Sequence, residues 1–258
     1  MKLKFPSFLV FAWVAFAGVW LASRALASPV EIVPASIGGA LQPQVAIDGA
    51  GTVFVAFGSG DDIYLAVSKD GGVGFEVPRK IGVLPKLALG MRRGPRIAVA
   101  GSDVTVAANN GEDLFAFHSP DAGRTWSAPV KINDVAASAR EGLHNLATGP
   151  AGQLYLTWLD LRSGGMEIYG ALSRDAGRTW AANELVYHSP GGHVCECCHP
   201  SAAFNAKGDL AVMWRNWMAG SRDLWIAVRR AGGDRFEAAE KQGEGTWNLA
   251  GCPMDGGA

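Results

Sequence analysis

An octapeptide recurs along this chain: SKDGGVGF from Ser68, SPDAGRTW from Ser119, SRDAGRTW from Ser173, and a degenerate RRAGGDRF from Arg229. A fixed period of a little over fifty residues dictates a repeat architecture, in which each unit buries its apolar face only against the next. Each copy follows a stretch of alternating apolar residues (DIYLAV, DLFAFH, EIYGAL, DLWIAV), and the first three precede a second strand-like stretch (EVPRKI, SAPVKI, AANELV). The octapeptide is therefore the turn of a β-hairpin. Its residues suit that task. Asp70, Asp121 and Asp175 can accept backbone N–H groups, Gly72, Gly123 and Gly177 can take positive φ, and Phe75, Trp126 and Trp180 can fold back on the sheet. A single active site has no use for three copies of one acid, so these aspartates and tryptophans are assigned a structural role.

A second register runs upstream of the first. QPQVAID at Gln42, GPRIAVA at Gly94, HNLATGP at His144, HPSAAFN at His199 and CPMDGGA at Cys252 each open a unit, and an apolar strand follows the first four (TVFVAF, DVTVAA, QLYLTW, DLAVMW). Each unit reads as four antiparallel strands of five or six residues, the dimensions of a propeller blade. The pattern S-x-D-x-G-x-T-W at the third hairpin of such a blade resembles the Asp box, or bacterial neuraminidase repeat, of the sialidase superfamily. The resemblance covers the chain from about residue 28 onward and implies an all-β, six-bladed propeller. It specifies fold more than function, because Asp-box propellers include enzymes and binding proteins alike. Residues 43–250 supply four blades, and the stretch at Val30–Val33 matches an outer strand. A six-bladed ring of this period would need about 100 residues more, so residues 28–258 are expected to be a C-terminally truncated propeller domain.

The beginning of the chain reads differently. Lys2 and Lys4 precede an apolar run from Phe8 to Ala22, and Ala25-Leu26-Ala27 supplies a small-x-small cleavage pattern, so residues 1–27 are expected to be a signal peptide. The expected destination is the periplasm or the extracellular space, with no membrane association after cleavage. Lys and Arg number 23 against 24 Asp and Glu, without a basic run, which excludes a phosphate-backbone footprint and hence nucleic acid as a partner.

In a propeller the innermost strands converge on the axis, so the residues that open them are neighbours in space. Those positions hold Gln42, Gly94, His144, His199 and Cys252, and the loop leading into the fourth unit reads HVCECCHP from His193. In an extended segment Cys195, Cys197 and His199 would share one side. Thiolates with imidazole suit zinc or copper(I) rather than calcium or magnesium. The expected metal set is Cys195, Cys197, His199 and Cys252, with Cys198 and His144 in reserve and Met254 a weaker soft donor. Two alternatives stay open: four cysteines in an oxidising compartment can pair as disulfides, for example from this cluster to Cys252, or form a redox-active mixture.

The superfamily resemblance implies a second chemistry at the same mouth. A sialidase would bring three arginines for a substrate carboxylate, a Tyr–Glu nucleophile pair and an aspartic acid/base. The candidates are Arg96, Arg162, Arg215 and Asp160, although the F-R-I-P motif that carries the first arginine is missing around GPRIAV. Trp217, in the loop RNWMAGSRD, is a candidate stacking platform for a sugar ring. The sequence thus supports a propeller that binds a glycan or small molecule at its mouth, with exo-sialidase-type hydrolysis as the alternative.

Overall fold

The computed structural model describes residues 29–249 and 251; the expected signal peptide, Cys252 and Met254 lie outside them. The described residues form four separate four-stranded antiparallel sheets, each a simple meander. Blade 1 comprises β1 (Leu41–Ile47), β2 (Val53–Ser59), β3 (Asp62–Ser68) and β4 (Arg79–Val83). Blade 2 comprises β5 (Arg96–Ala100), β6 (Asp103–Asn109), β7 (Leu114–Ser119) and β8 (Val130–Lys131). Blade 3 comprises β9 (His144–Thr148), β10 (Leu154–Asp160), β11 (Glu167–Ser173) and β12 (Glu184–Tyr187). Blade 4 comprises β13 (Ser201–Phe204), β14 (Leu210–Arg215), β15 (Leu224–Arg229) and β16 (Glu240–Lys241). The first strands of successive blades lie side by side, β1 against β5, β5 against β9 and β9 against β13. These are the inner strands, and the four sheets are the blades of the all-β propeller that the repeats imply. Val30–Val33, expected as an outer strand whose partner in a last blade is lacking here, forms no strand with the described residues.

Three apolar layers lie between the blades. Phe54, Leu65 and Ile81 meet Val104, Val106 and Phe117 between blades 1 and 2. Ala107 and Leu114 meet Leu156, Trp158 and Ala171 between blades 2 and 3. Tyr155, Leu159 and Ile168 meet Leu210, Val212 and Trp214 between blades 3 and 4. Middle strands such as β6 and β10 are buried on both faces, because each central strand sits between two neighbouring sheets.

The octapeptides occupy the turns between third and fourth strands. In blade 2 the Ser119 hydroxyl donates to Asp121 Oδ1 at 2.8 Å and accepts the Gly123 N–H at 2.8 Å, while Asp121 accepts the Thr125 N–H at 2.8 Å. Blade 3 repeats this with Ser173, Asp175, Gly177 and Thr179. These hydrogen bonds, led by the Thr125 N–H, hold the Asp121 carboxyl down at about 2. The turns also bind blades together. Thr105 Oγ1 of β6 donates to the Ala176 carbonyl at 2.6 Å, and Gly123 packs on Leu65 of β3, so the turns of blades 2 and 3 lean on the blades before them. Blade 4 has lost the Ser and Asp, with Arg229 and Ala231 in their places. Its turn is held instead by Asp209 of the neighbouring hairpin, whose Oδ1 accepts the Ala231 N–H at 2.9 Å.

Candidate functional site at the blade mouth

The loops that lead into the inner strands, and those joining second to third strands, emerge at the opposite ends of the blades from the octapeptide turns. As the topology requires, the inner-strand openings are in contact with one another. Gln42, at a φ of 57°, lies directly against Gly94, where a side chain would collide with it. Arg96 is buried and donates to the carbonyls of His144 (3.1 Å), Gly94 (3.0 Å), Pro95 (3.1 Å) and Arg92 (2.6 Å). Burial lowers its guanidinium to about 10, and it acts as a bracket between blades 2 and 3.

His144 is fully enclosed. Its Nδ1 lies 2.9 Å from the Gly142 carbonyl and its Nε2 lies 3.4 Å from that of Ala107. Since a neutral imidazole donates from one nitrogen only, the shorter contact is the donated bond. Burial, reinforced by the Arg96 charge, lowers its pKa to about 3 and keeps it neutral. His199 lies beside it, hydrogen-bonded to the His144 backbone and lowered to about 4 by burial and then by Arg96. Its Nε2 is enclosed and makes no hydrogen bond.

Residues 195–198 are not extended. They form a turn in which the Cys198 N–H reaches the Cys195 carbonyl at 3.4 Å, which brings residue i against i+3 instead of i+4. The cluster gathered is consequently Cys195, Cys197 and Cys198, whose sulfurs all lie within 4.8 Å of one another, while His199 and His144 stand outside it on the side of Arg96. The loop is pinned from both sides: the Val194 N–H donates to the Met166 carbonyl of blade 3, and the Cys195 N–H to the Arg215 carbonyl of blade 4, each at 2.9 Å. Cys195 Sγ lies 2.6 Å from Cys198 Sγ and 3.8 Å from Cys197 Sγ, and Arg222 Nη1 lies 3.1 Å from it. The Cys198 hydrogen bond, opposed by burial and aided by the Cys197 N–H and Arg222, lowers the Cys195 thiol to about 6; the same hydrogen bond pushes Cys198 up. Beside the thiols opens a cleft of about 320 Å³ lined by His193, Val194, Glu196, Cys197, Trp217 and Arg222. The His193 ring stacks on one face of Trp217, the candidate sugar platform, at 4.8 Å and 19°.

The hydrolase candidates are each engaged by other groups of the protein. Asp160 is buried and saturated by Trp158 Nε1, Ser138 Oγ and three donors of Arg162, its backbone N–H and two guanidinium nitrogens, and Arg162 also bonds Asp134 and Asn183. Arg215 donates to the Arg222 carbonyl and stacks 4.5 Å over Trp247. Arg222 was legible only as one loop arginine among several; its contact with Cys195 depends on a fold between residues 27 positions apart.

No protein-family model matches the sequence, and no curated protein matches it either. Solved structures do. The chain is similar to the NanB sialidase of Streptococcus pneumoniae, at 17% identity and a TM-score of 0.49, over 68% of this chain and 27% of that one. It is similar to the α-L-arabinanase of Penicillium chrysogenum complexed with arabinobiose, at 16% identity and a TM-score of 0.50, over 76% of this chain and 63% of that one. The GH93 α-L-arabinofuranosidase of Fusarium graminearum, also with arabinobiose, gives 14% identity and a TM-score of 0.50, over 83% of this chain and 68% of that one. The chain thus spans about a quarter of the sialidase and under two thirds of the arabinanase. At these identities the likeness establishes fold alone, and that fold is a β-propeller.

Proposed function

We propose that this protein is an exported propeller that binds a ligand at its mouth without hydrolysing it, and that Cys195, Cys197 and Cys198 hold one soft metal ion there, copper(I) or zinc. The observation that carries the reading is the gathering of three sulfurs on one turn, beside an arginine that favours their anionic form. Thiolates about 2.3 Å from a zinc ion stand roughly 3.8 Å apart in a tetrahedral site. The Cys195–Cys197 spacing of 3.8 Å matches this, and Cys198 needs to swing outward from 2.6 Å to join. Zinc would take its fourth ligand from solvent in the cleft or from Cys252, whereas copper(I) is content with sulfur alone. The solved neighbours bearing arabinobiose support a glycan as the cleft's ligand. Against hydrolysis stand the arginines, which are spent on carbonyls, carboxylates and a tryptophan ring.

The test is anaerobic titration of the reduced full chain with zinc and with copper(I), read by native mass spectrometry before and after denaturation. One ion per chain, lost on denaturation and absent from Cys195→Ser, is the expected result. A chain that binds neither ion while all its thiols react with an alkylating agent would overturn the reading.

A further inference from the structure

The same three thiols are not equivalent, and their differences point to chemistry besides metal binding. Cys195 is fully buried, Cys198 is half-buried and does not line the cleft, and Cys197 alone of the three forms part of the cleft wall. Cys195 Sγ stands between the other two, at 3.8 Å from Cys197 and 2.6 Å from Cys198. The Cys195-x-x-Cys198 pair is closed by its own backbone turn, and Arg222 faces the central sulfur at 3.1 Å. An outer thiol, a middle sulfur held beside a cation and an inner partner in contact with it form a path for thiol–disulfide exchange.

We propose that this loop is a disulfide relay that reduces a low-molecular-mass disulfide entering the cleft or, run in reverse, oxidises the corresponding thiols to that disulfide. It uses the cysteines assigned above to a metal, but in a two-electron reaction that needs no ion. In the reducing direction the Cys197 thiolate attacks one sulfur of R–S–S–R; the S–S bond breaks, R–S⁻ leaves, and Cys197 is left as a mixed disulfide. The Cys195 thiolate attacks the Cys197 sulfur and expels the second R–S⁻. Cys198 then attacks Cys195, closing the Cys195–Cys198 disulfide and releasing Cys197 as a thiol. The protons of Cys195 and Cys198 end on the two R–S⁻ groups, so one disulfide becomes two thiols as the protein dithiol becomes a disulfide. Exchange of this kind runs only where the attacking sulfur has access, which gives Cys197 the first step and denies it to Cys195. The oxidised loop has lost two of its three metal ligands, so the two activities exclude each other.

The experiment uses the full chain carrying Cys252→Ser, reduced, then exposed to 2-hydroxyethyl disulfide and quenched at intervals by alkylation for mass and peptide mapping. The expected end state is a Cys195–Cys198 disulfide with Cys197 alkylated. Cys197→Ser and Cys197→Ala should reach the same disulfide about tenfold more slowly or worse, since the accessible attacking thiol is gone. Cys198→Ser should stop at a Cys195–Cys197 disulfide. Cys197 variants that react as fast as their parent, or a parent that stops as a mixed disulfide, would overturn the relay. Zinc binding by the same reduced proteins is measured in parallel. Zinc bound normally without the relay removes only this inference; a working relay in a chain that binds no metal removes only the metal reading.

Discussion

The two ends of the blades obey different rules. At the octapeptide end, blades 2 and 3 carry the same Ser, Asp, Gly and Thr in the same hydrogen bonds, and blade 1 keeps the Ser68–Asp70–Gly72 part of that set. At the mouth the equivalent positions hold Gln42, Gly94, His144 and His199, and among the described residues only the fourth loop carries cysteines. Repetition solves a problem that every blade shares, namely closing a turn and leaning it on the preceding sheet. A residue that appears once answers a need that arises once. The contrast predicts that changes at the mouth alter ligand binding with little loss of stability, while changes at the other end do the reverse.

The sharpest break of that contrast is at the cleft. Cys197→Ser should reduce zinc affinity by more than about a hundredfold, since even outer-shell partners of a metal typically account for 10–100-fold. Its thermal midpoint should stay close to that of the parent, because Cys197 is half-buried on a loop. A large fall in midpoint with affinity unchanged would place this residue with the turn residues instead.

Acid sharpens the comparison from within the mouth, where His144, matched only by His199 of the next blade, serves structure. Its folded pKa, lowered by burial to about 3, lies below the ordinary value of 6.5. A depressed folded pKa contributes stability that is present above the unfolded value and lost as pH falls through the folded one. Urea unfolding should therefore show stability declining from about pH 6.5 toward pH 3, by on the order of 4–5 kcal/mol from this group. His199, lowered to about 4, adds to the same window. His144→Gln should flatten the slope; an unchanged slope would show that the ring is not enclosed as described.

These residues mark how far the sequence could be read. The four-stranded unit, the place of each octapeptide in its blade and the meeting of the inner-strand openings all follow from periodicity, because alternation and turn chemistry are local. The cysteine cluster was legible as a composition of ligands but not as a geometry. An extended segment would have grouped Cys195 with Cys197 and His199; the turn, pinned by Met166 and Arg215 from two different blades, substitutes Cys198. Arg96 and Arg162 read as available charges until their carbonyl and carboxylate partners, supplied partly by their own loops and partly by neighbouring ones, are seen.

Among the turn glycines the fold separates two cases that look alike in sequence. Gly177 has a φ of +88°, and an added Cβ would stand 2.5 Å from Thr105 Oγ1 and 2.7 Å from Thr105 Cγ2 of the neighbouring blade. Gly72 has a φ of +95° but open space around it. Both alanine variants carry the left-handed strain of about 1–2 kcal/mol, and Gly177→Ala adds an overpacking cost of roughly 1–3 kcal/mol. Chemical denaturation should rank Gly177→Ala well below Gly72→Ala, and equal losses would mean that the turn does not lean on blade 2.

The smallest effects test whether the motif acts through its side chains or merely marks a turn. Ser173 is buried, and its hydroxyl joins Asp175 to the Gly177 N–H. Ser173→Ala should cost about 1 kcal/mol, the net worth of a buried hydrogen bond plus part of the desolvation left behind. Blade 4 provides the control, since its turn carries Asp234 five residues after Arg229, three positions beyond where the motif places its aspartate. There the carboxylate that caps the turn comes from Asp209, across the blade. Asp234→Ala should therefore shift stability by less than about 0.5 kcal/mol, as exposed positions away from such features do. A loss at Asp234 as large as that at Ser173 would mean that the degenerate octapeptide still closes its own turn, and that the capping by Asp209 is incidental.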